Sequence, residues 1–470
     1  MPRFLLLLFL FLLESTSNLW AKPWRESLLN TDSNRVLKIE AIQITGNKTT
    51  RDFIMLREMN LKPGDTVSKK NLAEFIEEKR TRLLNMQLFS MVDISAVYPN
   101  GLDSSIELRI QVREVLYWLP KPIFSLADRN FNVWWVEQNR ALNRTNIGFE
   151  LTRVNFRGRD ERMNLILQLG YNKLFNLSYR IPYVNKAMTL GLNAGFTWGT
   201  GRETFYQTSE NKLLFYANNQ YPYKNWQARV GASYRGDYAT VHDGLISWNH
   251  TQISDSLFAQ NPNYLGGKKQ LDWTELMYSW QYNRTDARVY PTQGLEWKGK
   301  VLWRQGMSNT GITQVQLYNE ASWFKPIQGR WSWALHARAR WSMGNNIPYV
   351  FNRALGFQNG YVRGYEYYVV DGSHYGLLRN ALRYRIINKV LKQQVVPLMT
   401  YIPFRVFAKV YNDMAWVEAG AMNRQTLNNR ILYGYGIGID VLVSYYARLR
   451  IEYSFNHFGE NDLFLHAIKE

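Results

Sequence analysis

The chain has 470 residues, no cysteine, a formal net charge of +19 and 15% aromatic residues, including 17 Trp and 30 Tyr. The lack of cysteine excludes disulfides, thiolate metal sites and a lipid-modified N-terminal cysteine. Mean hydropathy is −0.36, and beyond the N-terminus no stretch reaches the roughly 20 apolar residues of a spanning helix. Abundant amphipathic aromatics without such helices are typical of a membrane β-barrel, in which only alternate residues meet lipid.

The basic residues are spread along the chain rather than clustered, so we do not expect a nucleic-acid partner. Diffuse charge promotes solubility, and it also attracts anionic lipid headgroups or an acidic client. The charge alone leaves both interpretations open, solubility on the one hand and attraction to lipid headgroups or an acidic client on the other.

The first residues, MPRFLLLLFLFLLESTSNLWA, combine one arginine with an apolar run from Phe4 to Leu13. This run is too short to span a bilayer and is typical of a cleaved signal peptide. We predict a signal peptide over 1–21, with an uncleaved anchor as the alternative, and a linker over 22–36.

Residues 37–114 predict one small α+β domain of order β-α-α-β-β. An alternating segment, LKIEAIQITG, ends in a turn, and a second turn, LKPGD, separates two helical segments. Two strands follow, LFSMVDISAVYP and DSSIELRIQVREV, joined by an Asn100-Gly101 turn. The positions that carry this pattern are Gly46, Asn47, Gly64, Asp65, Leu88 and Phe89.

From residue 145 the chain becomes a series of alternating segments, after a connection predicted over 115–144. In MTLGLNAGFTWG the apolar residues between Leu190 and Trp198 share one face, and polar or small residues share the other. A soluble sandwich also alternates, but the segment lengths and the Trp and Tyr near segment ends favour a membrane barrel over 145–470. Backbone groups in lipid must be paired, so the strands must close. We predict sixteen strands, starting near residues 145, 160, 173, 187, 211, 225, 240, 271, 294, 313, 331, 376, 403, 431, 445 and 462.

Charged residues fall on the predicted inner face of several strands. For each of them a generic solvated or ion-paired lumen is a better interpretation than a dedicated role. They are Glu296, Lys298, Arg338, Arg340, Arg448, Arg450 and Glu452.

Motifs in both regions resemble one known family. The segment 37–114 resembles a polypeptide-transport-associated (POTRA) domain through ITGN, LKPGD and LFSMVDI. The later region carries NFRGRD (155–160), the signature D-x-x-x-x-P-x-x-G with Asp286, Pro291 and Gly294, then VRGY (Val362–Tyr365), VFAKVYNDMAWV and YGIGID. In this order they are similar to the BamA/TamA outer-membrane assembly family, of the bacterial surface antigen type. The resemblance implies an all-β transmembrane barrel of 16 antiparallel strands behind one periplasmic POTRA domain, in the bacterial outer membrane.

The resemblance also implies a role for the VRGY loop. In the family this loop folds into the lumen, where an acidic residue of the barrel wall holds its arginine. The loop anchor carried over consists of Val362, Arg363, Gly364 and Tyr365, with Asp413 as the acid. A second family acid would fall near Arg383, where none is present, so we expect either a weaker anchor or a substitute acid such as Glu366 or Asp371.

The family resemblance implies an outer-membrane protein that inserts β-barrel proteins or translocates polypeptides. Its POTRA domain would capture unfolded outer-membrane or secreted polypeptides by strand addition, or would be a rigid spacer. The first and last barrel strands would form a lateral seam, and accessory lipoproteins are candidate partners. The alternative is a passive channel or dedicated secretion pore of the same fold. The six histidines form no H-E-x-x-H, and G-x-S-x-G is absent, so we predict no enzyme activity, catalytic residue, cofactor or metal site.

Overall fold

A computed structural model describes residues 35–99, 104–126, 139–308, 310–357, 360–392, 401–419, 425–443 and 447–469. The predicted signal peptide and the Asn100-Gly101 turn lie outside the described residues. The chain divides into two compact units, one with residues up to 48 and 55–114, the other with 49–54 and 115–470. None of the described helices combines the length and apolarity needed to cross a membrane.

The first unit is a four-stranded sheet with two helices, which confirms the predicted α+β class. Its strand order is β2-β1-β4-β3, with β1 parallel to β4 and the other pairs antiparallel. The prediction missed β2, because three residues are too few to show alternation. The elements are β1 (Val36–Thr45), α1 (Asp52–Met59), β2 (Thr66–Ser68), α2 (Leu72–Asn85), β3 (Phe89–Val97) and β4 (Ser105–Glu114).

The core of this unit follows from the alternation of its strands. On β1, Leu37 and Ile39 are fully buried, while the alternating Lys38 and Glu40 are exposed. On β4, Ile106, Leu108 and Ile110 are buried in the same way. One apolar face therefore packs beneath the helices.

The second unit contains a 16-stranded antiparallel sheet, which confirms the predicted barrel class. Consecutive barrel strands pair along its whole length, from β5 at one edge to β24 at the other. The strands are β5 (Trp118–Leu126), β6 (Thr145–Phe156), β7 (Glu161–Gly170), β8 (Asn172–Ile181), β9 (Leu190–Gly201), β12 (Tyr223–Tyr234), β13 (Thr240–Ile253), β14 (Gln270–Thr285), β15 (Gly294–Gly306), β16 (Thr313–Pro326), β17 (Trp331–Asn345), β20 (His374–Lys392), β21 (Tyr401–Glu418), β22 (Ile431–Val443), β23 (Ala447–Asn456) and β24 (Asn461–Lys469).

Short elements lie in the loops between these strands. A hairpin of β10 and β11 forms a separate two-stranded sheet, and β18 and β19 form another. The only described helix of this unit with α geometry has six residues. These elements are β10 (Glu203–Ser209), β11 (Lys212–Ala217), α3 (Asp255–Gln260), β18 (Arg353–Leu355) and β19 (Val370–Asp371).

One of the sixteen predicted strand positions is wrong and one observed strand was not predicted, so the total agrees. The strand predicted near residue 211 belongs to the β10–β11 hairpin, which is outside the large sheet. The first strand, β5, lies instead within the predicted connection 115–144. Pro120 and Pro122 interrupt the strand pattern there, and proline lacks the N–H that a ladder uses. An edge strand tolerates proline, because its second side has no neighbour to bond.

The two faces of β9 show which side of the sheet meets lipid. Leu192 and Phe196 are 48% and 39% exposed, whereas Thr197 on the opposite face accepts a hydrogen bond from Asn176 at 2.8 Å. A soluble sandwich would bury the apolar face against a second sheet. Here that face is the exterior, as a membrane barrel requires.

The assignment of faces predicts opposite effects for neighbouring substitutions at the centre of β9. Phe196→Arg places a charge in lipid and should lower the free energy of unfolding by about 2–4 kcal/mol. Thr197→Arg, one residue along and facing inward, should cost about 1 kcal/mol, mainly through the lost hydrogen bond. Urea unfolding in lipid bilayers measures both variants, and a larger loss for Thr197→Arg would contradict the assignment.

Candidate functional site

The loop between β17 and β20 turns inward onto β21, β22 and β23. Gly364 has φ +93°, a conformation that other residues rarely adopt, and a Cβ there would lie 2.7 Å from the Phe455 carbonyl oxygen. The flanking Val362 and Tyr365 are 1% and 3% exposed. The VRGY segment is therefore packed against the wall of the sheet.

Arg363 is buried and held by Asp413 of β21. Its Nε donates to Asp413 Oδ2 at 2.9 Å, and its Nη2 to Oδ1 at 2.5 Å. Its backbone N–H also donates to Oδ2 at 3.0 Å. The guanidinium lies 3.8 Å from the centre of the Tyr411 ring. Burial alone would lower the pKa of Arg363, but attraction to Asp413 raises it above its usual value.

The second acid beside Arg363 is Glu452 of β23, whose Oε1 accepts from Nη1 at 3.3 Å. Neither substitute expected from the sequence occupies this position. Glu366 Oε2 accepts from the Gly364 N–H at 2.7 Å, and Asp371 Oδ2 accepts from Gln425 at 3.3 Å. Burial raises the pKa of the Glu366 carboxyl. Sequence reasoning treated Glu452 as a generic lumen residue, because only the strand register brings it to the loop.

A row of glycines on β22 makes room for these contacts. Gly438 lies between Lys409 of β21 and Glu452 of β23 in the ladder. With no side chain there, Lys409 Nζ reaches Glu452 Oε1 at 2.9 Å across the strand. A Cβ at Gly434, four residues earlier, would lie 1.9 Å from the Arg363 carbonyl oxygen. The glycines of the motif region YGYGIGID thus form a trough that receives the loop.

The charged contacts continue along the strands, away from the VRGY loop. Lys409 Nζ also contacts Asp440, with both oxygens at 2.9 Å. Asp440 Oδ2 accepts from the Tyr290 hydroxyl at 2.9 Å, and Tyr290 is 1% exposed. Arg450 Nε lies 3.3 Å from Asp440. We call the set Arg363, Asp413, Glu452, Lys409, Asp440 and Tyr290 the lumenal network.

Tyr290 belongs to the D-x-x-x-x-P-x-x-G turn between β14 and β15. Asp286 Oδ1 accepts from the backbone N–H of Thr292 at 2.8 Å and of Gln293 at 3.1 Å, which closes the turn. Gly294 has φ +112°, and a Cβ there would lie 2.0 Å from the Arg284 carbonyl oxygen. The Pro291 carbonyl accepts from Arg383 Nη1 at 3.0 Å. Arg383, near which the family resemblance implies a second acid, thus fixes this turn.

The β10–β11 hairpin holds the loop from another side. Asn211 at its tip is fully buried. Its carbonyl accepts from the Val369 N–H at 2.8 Å, and its Nδ2 donates to Gln425 at 3.0 Å. Its Oδ1 accepts from the Thr426 hydroxyl at 2.5 Å. The segment near residue 211, which the sequence predicted as a barrel strand, therefore holds the VRGY loop in place through hydrogen bonds.

The sequence motif of the first unit forms a separate group. Gly46 has φ +89°, and a Cβ there would lie 1.9 Å from the Val112 carbonyl oxygen. The carboxylate of Asp65 accepts from the Lys62 N–H at 2.9 Å, which closes the turn containing Gly64. Leu88 and Phe89 are 0% and 3% exposed. The motif residues Gly46, Asn47, Gly64, Asp65, Leu88 and Phe89 thus lie at turns and in the core of the α+β unit.

Two family models match the chain. The Omp85 superfamily domain matches residues 155–462, more than half of the 470 residues. The chain belongs to the Omp85 superfamily. A surface antigen variable number repeat model, of POTRA type, matches residues 37–115. The barrel therefore resides in the bacterial outer membrane, with its POTRA domain in the periplasm. At the level of the family, membership supports outer-membrane β-barrel insertion or secretion transport of polypeptides.

Solved structures share the fold of this Omp85 protein. BamA from Haemophilus ducreyi lacking POTRA domains 1–3 matches with TM-score 0.51 and 14% identity, over 92% of this chain and 84% of that one. CdiB from Acinetobacter baumannii matches with TM-score 0.50 and 12% identity, over 92% and 73%. CdiB from Escherichia coli matches with TM-score 0.51 and 12% identity, over 92% and 75%. At these identities the likeness concerns the fold alone.

The burial of Arg363 predicts a large effect of removing its partner. Asp413→Asn keeps the shape of the side chain but leaves the Arg363 guanidinium without its carboxylate. It should lower the free energy of unfolding by about 3–5 kcal/mol. Asp272→Asn is the matched control, because Asp272 is a half-exposed acid on β14, and it should cost less than about 1 kcal/mol. Urea unfolding, monitored by heat-modifiable gel migration, measures the free energy of unfolding of both variants. Equal losses in the two variants would contradict the anchoring role of Asp413.

Proposed function

We propose that this protein inserts β-barrel proteins into the outer membrane, or translocates polypeptides across it, through a lateral seam between β5 and β24. The supporting observation is that, among the described strands, β5 pairs with β6 alone and β24 with β23 alone. Both strands therefore present a free edge. A free edge is normally an aggregation hazard, and it is also a template for an incoming strand.

The composition of β5 supports the seam as the place where the sheet opens. Pro120 and Pro122 supply no N–H groups, so fewer hydrogen bonds are available along this edge. By contrast with the seam, each pair of hydrogen-bonded neighbours within the large sheet has a ladder that is continuous or interrupted once. Opening at this edge therefore costs less than opening elsewhere.

The lumenal network has a supporting role in this proposal. Arg363 connects the loop to β21 and β23, and Lys409 connects β21 to β22 and β23. These contacts stiffen the C-terminal side of the seam while β5 remains the mobile side. The VRGY loop and Asp413 therefore act as a positioning device rather than as a client-binding site.

The POTRA domain is proposed to receive the client in the periplasm. Its sheet ends in β3, a nine-residue strand that pairs only with β4 among the described strands. Main-chain hydrogen bonds to such an edge tolerate many client sequences. Unfolded outer-membrane or secreted polypeptides are the proposed clients, with accessory lipoproteins and outer-membrane lipids as further partners. We propose the division into a signal peptide (1–21), a linker (22–36), a POTRA domain (37–114) and a barrel that begins at Trp118.

Cross-linking the seam tests this function, and the cysteine-free chain makes the design simple. Phe124→Cys on β5 and Leu465→Cys on β24 are both at exposed positions, and a series of bismaleimides of increasing length is used to join them. The control pair, Ile437→Cys and Tyr453→Cys, lies directly opposite on β22 and β23. Joining the seam should slow insertion of an unrelated barrel into liposomes by about tenfold or more, and the control should leave the rate unchanged.

The alternative function would give a different result in the same experiment. A passive channel or dedicated secretion pore would conduct ions in planar bilayers, would not accelerate insertion, and would be indifferent to the seam cross-link. Unchanged insertion by the cross-linked protein would refute the seam.

A further inference from the structure

Two side chains outside the lumenal network converge on Glu452, which belongs to it. Glu366 comes from the VRGY loop, Glu452 from β23 and His466 from β24. One ligand atom from each lies within 4.8 Å of the other two. His466 Nε2 is 3.9 Å from Glu366 Oε1 and 3.9 Å from Glu452 Oε2. These distances exceed a hydrogen bond, so the three groups face one another across a gap.

Both carboxylate oxygens that face this gap are buried and lack a hydrogen-bond partner. The Glu452 side chain is 0% exposed and that of Glu366 is 9% exposed. A buried, unpartnered carboxylate oxygen is costly, and two of them close together repel each other. The arrangement calls for a cation that both oxygens can share.

Each carboxylate is fixed through its other oxygen. Glu366 Oε2 accepts from the Gly364 N–H at 2.7 Å, and Glu452 Oε1 contacts Lys409 at 2.9 Å. The His466 ring stacks on Tyr361 with 5.4 Å between ring centres. Metal-ligating carboxylates are typically held in this way by outer hydrogen bonds. The two unpartnered oxygens thus face His466 Nε2. This nitrogen also lies 3.4 Å from the Tyr361 hydroxyl, a contact that a bound ion would replace.

We propose that Glu366, Glu452 and His466 bind one divalent transition-metal ion of the Zn²⁺ class. Two carboxylates and an imidazole are ligands that Zn²⁺ accepts at about 2.0–2.2 Å, and each carboxylate offers one oxygen without a hydrogen-bond partner. A contraction of about half an ångström by each side chain brings the three atoms to that distance. A protonated imidazole fits less well, because its single Nε2–H can donate to only one of the two oxygens.

This site would join the VRGY loop to the last strand of the sheet. Glu366 follows the loop anchor, and His466 lies on β24, one side of the proposed seam. A bound ion would connect β24 to β23 and to the VRGY loop. The lumenal network contains no residue of β24, so it does not make this connection. The proposal does not depend on the proposed function, because the geometry alone carries it.

The test measures Zn²⁺ binding to the full-length protein in detergent, purified without a polyhistidine tag and stripped with a chelator. Isothermal titration should show one Zn²⁺ ion per chain. His466→Gln and Glu366→Gln should each weaken binding by about tenfold or more. His250→Gln is the matched control, because His250 forms the other imidazole–carboxylate pair, with Asp272 at 2.7 Å, and it should leave the affinity unchanged.

Heat-modifiable gel migration reports whether each variant is folded, so a loss of binding is not confused with a loss of fold. Zn²⁺ should also raise the unfolding temperature of the natural protein but not of His466→Gln. Three results would overturn the proposal. They are no binding at micromolar Zn²⁺, binding that survives both site substitutions, and binding that disappears in His250→Gln. A His466→Gln effect confined to the pH dependence of unfolding would also overturn it, because it would identify a proton-linked ion pair instead.

Discussion

The structure of the barrel depends on the burial of one guanidinium. Removing Arg363 from water is expensive, so its charge must be matched where it lies. Asp413 supplies a bidentate partner from β21, and Glu452 supplies a second acid from β23. Because these acids are on different strands, one loop residue defines how the loop, β21 and β23 fit together. The next residue, Gly364, passes close to the Phe455 carbonyl oxygen of β23 with a positive φ.

The glycines of β22 extend this constraint along the sheet. At Gly434 and Gly438 the missing side chains let the loop and Lys409 cross the strand. Through Lys409 and Asp440 the contacts reach Tyr290, in a turn at the opposite end of the strands from the VRGY loop. The VRGY loop and the D-x-x-x-x-P-x-x-G turn, both selected by the family resemblance, are therefore parts of one lumenal network. In the proposed function, this network stiffens the C-terminal wall, and the seam opens at β5.

Sequence alone predicted what depends on local patterns. Alternation indicated most barrel strands and the lipid-facing side of β9, and short motifs indicated the family and the inward loop. It missed β5, because Pro120 and Pro122 disturb the pattern, and it misassigned the β10–β11 hairpin, because a loop hairpin alternates like a barrel strand. It also missed Glu452 as the second acid, since that contact depends on the register of β21, β22 and β23. Contacts between distant segments leave no local signal.

The central claim is that the loop anchor and the Tyr290 turn belong to one coupled network. A double-mutant cycle with Arg363→Lys and Tyr290→Phe tests it most directly, through the free energies of unfolding of the two single variants and the double variant in lipid bilayers. Residues that share a network show coupling energies of about 0.5–3 kcal/mol, and we predict a value in this range. Losses that add to within about 0.3 kcal/mol would mean that the two ends of the network are independent, and would contradict the account.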